Sequence, residues 1–147
     1  MAYVPKDAEW FLAELVEEIR VAGSKRNIVH INYIIIHARS PRTAFANAMA
    51  LGKRANISYL NEMGKKVTKR FRGLRNLDGI YDPLGDGCEI MFEEKLGVSE
   101  KGMKNLLQAR NQLEVFQPIH ERRGRPNYSS MEIMNEVRKR LGGTNGD

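Results

Sequence analysis

Residues 28–37 constrain the fold most strongly, because six of these ten residues are β-branched. Side chains branched at Cβ favour extended backbone, so the run predicts a β-strand. Its apolar residues fall on both alternating faces, which is typical of a strand inside a sheet that is covered on both sides. We therefore predict a central strand here. The β-branched residues are Ile28, Val29, Ile31, Ile34, Ile35 and Ile36.

The preceding segment, residues 10–21, fits two patterns. Leu12, Leu15, Val16 and Ile19 are spaced as on a helix, whereas alternate residues from Phe11 onward are apolar as in a strand. The turn-forming sequence at residues 23–27 lies directly between this segment and the predicted strand. A β-hairpin is therefore the simpler interpretation.

Further elements follow along the chain. Ser40 and Pro41 are typical of a helix start, and the predicted helix runs to about Arg54. Residues 57–60 and 66–74 form a second predicted hairpin around a short loop that contains Gly64. Residues 88–93 alternate as a fifth strand would, and Ser99 can cap a second helix.

These elements predict an α+β fold with a five-stranded, mainly antiparallel sheet in the order β-β-α-β-β-β-α and a C-terminal helical extension. The expected organisation is a single domain over residues 8–116, a linker over 117–128 and an amphipathic helix over 129–141. That helix would need a docking surface for its apolar face, and we expect a homodimer that uses it. The apolar face comprises Ile133, Met134, Val137 and Leu141.

The 147 residues carry a net charge of +6, and the surplus is local. Residues 42–75 hold nine basic groups against Glu62 alone, while residues 76–120 hold four basic and eight acidic groups. A basic hairpin over residues 65–75 could therefore bind an anionic partner such as nucleic acid, or it could be neutralised within the protein. The predicted binding residues are Lys65, Lys66, Arg70, Arg72 and Arg75.

Few residues are suited to metal or cofactor chemistry. The chain has one cysteine, Cys88, and three histidines, and their spacing matches no zinc-binding pattern. We expect no metal and no cofactor. The sequence also lacks a long apolar run or a signal-peptide layout, so we expect a cytoplasmic protein that does not cross a membrane.

One polar group could carry catalysis. If the first hairpin pairs residues whose numbers sum to 49, Glu17 opposes Asn32, and His30 opposes Ile19 on the same face. A carboxylate beside an imidazole can perform acid–base chemistry. The alternative is a hydrogen-bonded polar cluster at the rim of the sheet, and we predict no catalytic residues on this evidence alone.

Five motifs stand out along the chain: Trp10-Phe11-x-Ala13-Glu14-Leu15, Val29-His30-x-Asn32, Ser40-Pro41-x-x-Ala44-x-x-x-Ala48-x-x-Leu51-Gly52, Phe71-x-Gly73-Leu74-x-x-Leu77-x-x-Ile80-Tyr81 and Glu89-Ile90-x-Phe92-Glu93-Glu94. They resemble a small bacterial family of unknown function, DUF4288. The resemblance spans about residues 8–116, favours a strand over residues 10–21, and implies no activity or cofactor. Lys69 stands where members of that family tend to have an aromatic residue.

Together these features favour a small, non-enzymatic binding module that acts through protein–protein contacts. Three alternatives remain open at this point. They are nucleic-acid binding through the hairpin 65–75, a toxin-immunity role, and an enzyme built on Glu17, His30 and Asn32.

Overall fold

The computed structural model describes residues 8–118 and 125–130. The chain divides into two compact units, residues 1–91 with 126–147, and residues 92–125. In chain order the elements are β1 (Trp10–Val21), β2 (Ile28–His37), α1 (Pro41–Arg54), β3 (Ile57–Leu60), β4 (Lys66–Gly79) and α2 (Glu100–Leu106), followed by two short 3-10 helices at Arg110–Gln112 and Glu114–Phe116.

The first unit contains a four-stranded antiparallel sheet in the order β2-β1-β4-β3. The α+β class and both predicted hairpins are confirmed, and residues 10–21 are a strand. The predicted position of β2 is wrong, because β2 lies at an edge of the sheet and β1 is an inner strand. Apolar residues on both faces of β2 therefore did not indicate that β2 has a hydrogen-bonded neighbour along each of its two edges.

The predicted fifth strand is also wrong, since residues 88–93 have no strand structure. An alternating pattern gives a segment the capacity to pair, but a strand forms only beside an edge with which it can exchange hydrogen bonds. Within residues 8–118 and 125–130, residues 88–93 have no such partner, and Ile90, Met91 and Phe92 are exposed.

The core lies between one face of the sheet and α1. Phe11, Ala13 and Leu15 of β1 contribute to it, together with Ile36 of β2 and the small residues of α1. These β1 residues alternate with others that point to the opposite face, as the two-residue period of a strand requires. The face that carries α1 is called the helix face below, and the other is called the open face.

Helix α1 begins as predicted, since the Ser40 hydroxyl accepts a hydrogen bond from the Thr43 backbone N–H at 3.1 Å, and Pro41 is the first helical residue. The helix packs on the sheet through Ala44, Ala48 and Gly52, which lie four residues apart. Small residues allow the helix backbone to approach the sheet closely, so its larger apolar side chains face outward. Phe45 and Leu51 are exposed.

The second unit is described only as far as residue 118, and at residue 125. Ser99 caps α2 as predicted, because its hydroxyl accepts a hydrogen bond from the Gly102 N–H at 3.0 Å. No residue of α2 is buried.

The predicted C-terminal extension lies largely outside the described residues. Residues 131–141 are not described, and the proposed dimer contacts Ile133, Met134, Val137 and Leu141 are among them. The described residues 126–130 contact the β3–β4 turn, where the Asn61 side-chain amide donates to the Asn127 carbonyl at 3.0 Å and Asn61 forms a β-bridge with Ser130.

Candidate binding surface at the sheet edge

The outer edge of β2 is the most distinctive surface of the sheet. The strand contains no Lys, Arg, Asp, Glu or Pro, and it pairs with β1 without a register shift over all ten of its residues. On the open face Val29 and Tyr33 are each 52% exposed and Ile35 is 46% exposed. As far as the structure describes the chain, β2 therefore combines one unpaired side with an exposed apolar row.

A shallow hollow continues this edge onto the helix face. β2 and α1 line it together, so an occupant of the edge would also touch the helix. The lining residues are Ile35, Ile36, His37, Asn47, Ala50, Leu51 and Arg54.

The open face also carries paired charges between β1 and β4. The Glu14 carboxylate is buried, and Arg75 donates to it from Nε at 2.9 Å and also from Nη2. Arg75 Nη2 donates as well to the Tyr33 hydroxyl at 2.7 Å. Hydrogen bonding to Glu14 raises the pKa of Arg75, so this guanidinium stays charged.

A second acidic group, Glu18, lies four residues further along β1 on the same face. Its carboxylate accepts hydrogen bonds from the Asn27 amide at 2.6 Å and from Arg20 at 3.0 Å, and Arg72 lies 3.9 Å away. The hydrogen bond from Asn27 is the main reason why the pKa of Glu18 lies below its ordinary value, and the two arginines lower it further.

Two irregularities in β4 place these arginines. The pairing of β1 with β4 skips Arg75 between Leu74 and Asn76, and it skips Arg72 between Phe71 and Gly73. Each skipped residue is the extra residue of a β-bulge, which turns its side chain away from the regular alternation. Gly73 has φ of +136°, a conformation that favours glycine.

The five basic residues predicted to bind an anionic partner thus divide into two that interact with glutamates and three that are exposed. Arg72 and Arg75 interact with glutamates of β1, which agrees with the alternative that the charge of this hairpin is neutralised within the protein. Lys65, Lys66 and Arg70 are exposed, with Lys65 in the β3–β4 turn and the other two on β4. The sequence showed the charge surplus of this hairpin, but it could not show the bulges that direct two arginines toward β1.

The Glu17, His30 and Asn32 group differs from its predicted register by two residues. Glu17 lies opposite His30, and Asn32 lies opposite Leu15. The His30 ring packs edge-on against Tyr128, with centroids 5.2 Å apart. The carboxylate and the imidazole therefore occupy paired positions, whereas the Asn32 amide is two pairs further along and exposed.

Tyr128 also belongs to an aromatic contact that the sequence did not predict. The Tyr59 hydroxyl donates to the Tyr128 carbonyl, and the Lys69 ammonium lies 5.7 Å and 5.8 Å from the centroids of the two rings. Burial is the main cause of a raised pKa at Tyr59, and the nearby Glu17 raises it further. Only the pairing of β3 with β4 brings Tyr59 and Lys69 together.

The described residues include no group of three or more His, Cys, Asp or Glu side chains able to hold a metal ion. In that same part of the chain, we find no helix with both the length and the apolar character needed to span a membrane.

Comparison with known proteins places the chain in a family. No curated protein and no solved structure matches it. A family model described as "Domain of unknown function (DUF4288)" matches residues 10–92, which include the whole sheet and α1. Since this match covers more than half of the 147 residues, the chain belongs to the DUF4288 family.

Proposed function

We propose that the protein is a non-enzymatic binding module that adds an extended segment of a protein partner to the edge of β2. The observation that carries this proposal is the composition of that edge, which has ten residues without Lys, Arg, Asp, Glu or Pro. Unpaired N–H and C=O groups along a sheet edge form a template for another strand.

Edge strands in soluble proteins are normally protected against such pairing by charged residues, by proline or by bulges. In this sheet the bulges occur in β4, an inner strand that also carries three arginines, while β2 has an unbroken register. The missing protection at β2 supports a role in binding.

Strand addition also accounts for the apolar side chains beside the edge. In this binding mode main-chain hydrogen bonds supply affinity and alternate side chains supply selectivity. Val29, Tyr33 and Ile35 form an apolar row on the open face, and the hollow beside Leu51 offers apolar contacts on the helix face. A partner strand would therefore bury apolar side chains on both faces.

A peptide titration tests this proposal. Fluorescently labelled protein at nanomolar concentration is titrated with a synthetic peptide that alternates Val and Thr and ends in Glu on both sides. We expect saturable binding with a Kd between about 1 μM and 1 mM, the range of modest peptide affinities. Isotope-edited NMR should show the protection of β2 amides rising as peptide is added.

Matched charge substitutions locate the site. Val29→Lys and Ile35→Lys place a charge beside the edge at exposed positions and should weaken peptide binding at least tenfold. Leu60→Lys is the control, because Leu60 is also exposed but lies on β3 at the opposite edge. If the peptide does not bind, or if Val29→Lys and Ile35→Lys bind it as tightly as the wild type and Leu60→Lys do, the proposal is wrong.

A further inference from the structure

We propose that the natural occupant of the β2 edge is residues 88–93 of a second copy of this chain, so that two copies exchange this segment in a symmetric dimer. This inference rests on the proposed function, because it names the partner of the same edge.

Residues 88–93 have the composition of a strand, but they pair with no strand among the residues that the structure describes. Cys88, Ile90 and Phe92 alternate with Glu89, Met91 and Glu93, as in a half-buried strand. The structure leaves Ile90, Met91 and Phe92 exposed in a segment without regular secondary structure. Pairing with an edge would bury these side chains and satisfy the backbone groups of the segment.

Residues 92–118, which overlap this segment and continue beyond it, also carry exposed apolar side chains. The most exposed of their large apolar residues are Leu96 at 87% and Val115 at 83%, and Phe92 and Leu107 are also strongly exposed. A seven-residue helix such as α2 is marginal in isolation and gains most of its stability by packing. These exposed apolar side chains would become buried if this segment packed against another molecule.

The charges of the two surfaces are complementary. Residues 19–61, which include β2 and α1, contain seven basic residues and no Asp or Glu. Residues 76–94, which include the strand-like segment, contain six acidic residues and no Lys or Arg. Complementary charge of this kind favours association and selects the partner. The basic residues are Arg20, Lys25, Arg26, Arg39, Arg42, Lys53 and Arg54, and the acidic ones are Asp78, Asp82, Asp86, Glu89, Glu93 and Glu94.

The same charges argue against direct pairing of β2 with β2 of another copy. In an antiparallel pair of two β2 strands, the turn with Lys25 would approach Arg39 of the other copy, and like charges would face each other. Insertion of the acidic segment instead brings opposite charges together.

A second copy is preferred over the same chain because the described part of one chain leaves both elements without a strand partner. In that part, nothing pairs with the outer side of β2, and residues 88–93 are not a strand. Reciprocal exchange satisfies both elements in both chains and closes with two-fold symmetry, which is the commonest arrangement in soluble oligomers.

Disulfide trapping tests which chain supplies the segment. Cys88 is the natural probe, since it is the sole cysteine. Single cysteines are placed on β2 as Val29→Cys, Asn32→Cys and Ile35→Cys, each in a Cys88→Ser background and with a mass tag. Directly opposed residues on neighbouring strands are close enough for a disulfide after mild oxidation. Mixing each variant with wild-type chain should give a mixed covalent dimer for at least one position.

Leu60→Cys with Cys88→Ser is the matched control on the other edge of the sheet, and it should form no mixed dimer. Ile35→Cys and Asn32→Cys are also made with Cys88 retained. A disulfide within one chain, detected by mass at monomer size, would show that the segment pairs in its own chain and would overturn the inference. Failure of all three β2 positions to form the mixed dimer would overturn it as well.

Solution mass gives an independent readout. Wild-type protein should be dimeric by light scattering at micromolar concentration, and Glu93→Lys with Glu94→Lys should raise the dimer Kd at least tenfold. Glu100→Lys with Glu114→Lys changes the net charge equally, outside residues 76–94, and should change the Kd less than threefold. A monomeric wild type that still binds the Val/Thr peptide would refute the exchange but keep the proposed function, whereas loss of peptide binding as well would refute both.

Discussion

Arg75 donates hydrogen bonds from Nε and Nη2 to a single carboxylate oxygen of Glu14, across the pair formed by β4 and β1. The carboxylate is 6% exposed, while the guanidinium is about half exposed and also donates to Tyr33. Since Tyr33 lies on β2, this one arginine connects three adjacent strands. The contact depends on the bulge that makes Arg75 an extra residue of its strand.

The pair should respond unequally to neutral substitutions. Arg75→Gln leaves the buried Glu14 carboxylate without its cation, whereas Glu14→Gln leaves a half-exposed arginine that water can solvate. We therefore expect Arg75→Gln to lower the free energy of unfolding more than Glu14→Gln does, as measured by urea denaturation. The double variant should lose less than the sum of the single losses. Equal losses for the two single variants would contradict this account.

The sequence predicted the local elements well because their signals are local. The Ser40-Pro41 start of α1 and the Ser99 cap of α2 follow from side chains that satisfy backbone groups nearby. The position of β2 could not be predicted in this way. A strand that is apolar on both faces is expected inside a sheet, but the same pattern suits an edge that another chain completes.

The hairpin register shows a similar limit. The strand pairing of the first hairpin is displaced by two residues from the predicted register, so His30 faces Glu17 and not Ile19. Because the displacement is even, the same residues remain on the same face of the sheet. Alternation could therefore predict the face of each β1 and β2 residue but not its partner on the neighbouring strand. The bulges that redirect Arg72 and Arg75 lie in β4, so the alternation of β1 could not indicate them.

Gly52 is buried beneath the ring of Phe71, and a Cβ there would lie 2.5 Å from the nearest ring atom. Gly52→Ala should lower the free energy of unfolding by about 1 kcal/mol, because overpacking costs about 1–3 kcal/mol and outweighs the better helix propensity of Ala. In a Phe71→Leu background the same change should become neutral or stabilising. Thermal or urea unfolding of all four proteins measures this, and destabilisation in both backgrounds would disprove the steric explanation.

The start of α1 offers a simpler stability test. The Ser40 hydroxyl accepts the Thr43 N–H, so Ser40→Ala should lower the free energy of unfolding by about 1 kcal/mol. Ser40→Asn is the matched control, because its side-chain oxygen can accept the same hydrogen bond, and it should retain most of the stability. Equal losses in the two variants would show that the cap contributes little.

Glu18 should make stability depend on acid pH. Its pKa is lower in the folded protein than in the unfolded chain, so its contribution is complete above the unfolded pKa and is lost as the pH falls through the folded pKa. Asn27→Ala removes the main cause and should move the pKa of Glu18 up toward its ordinary value, as followed by carboxyl NMR. The stability difference between this variant and the wild type should shrink at low pH. An unchanged pKa would assign the effect to the arginines instead.

Tyr59 should act in the opposite pH range. Burial and the nearby Glu17 raise its pKa above the unfolded value, so the neutral phenol contributes fully below that value, and stability falls as the pH rises above it. Tyr59→Phe removes the titrating group and should flatten this alkaline decline. At neutral pH it should also lower the free energy of unfolding by about 1 kcal/mol, because the hydrogen bond to the Tyr128 carbonyl is lost.

Ultraviolet titration gives the phenol pKa, and Glu17→Gln should bring it closer to the ordinary value without removing the effect of burial. If the alkaline decline in stability is as steep in Tyr59→Phe as in the wild type, another group causes it.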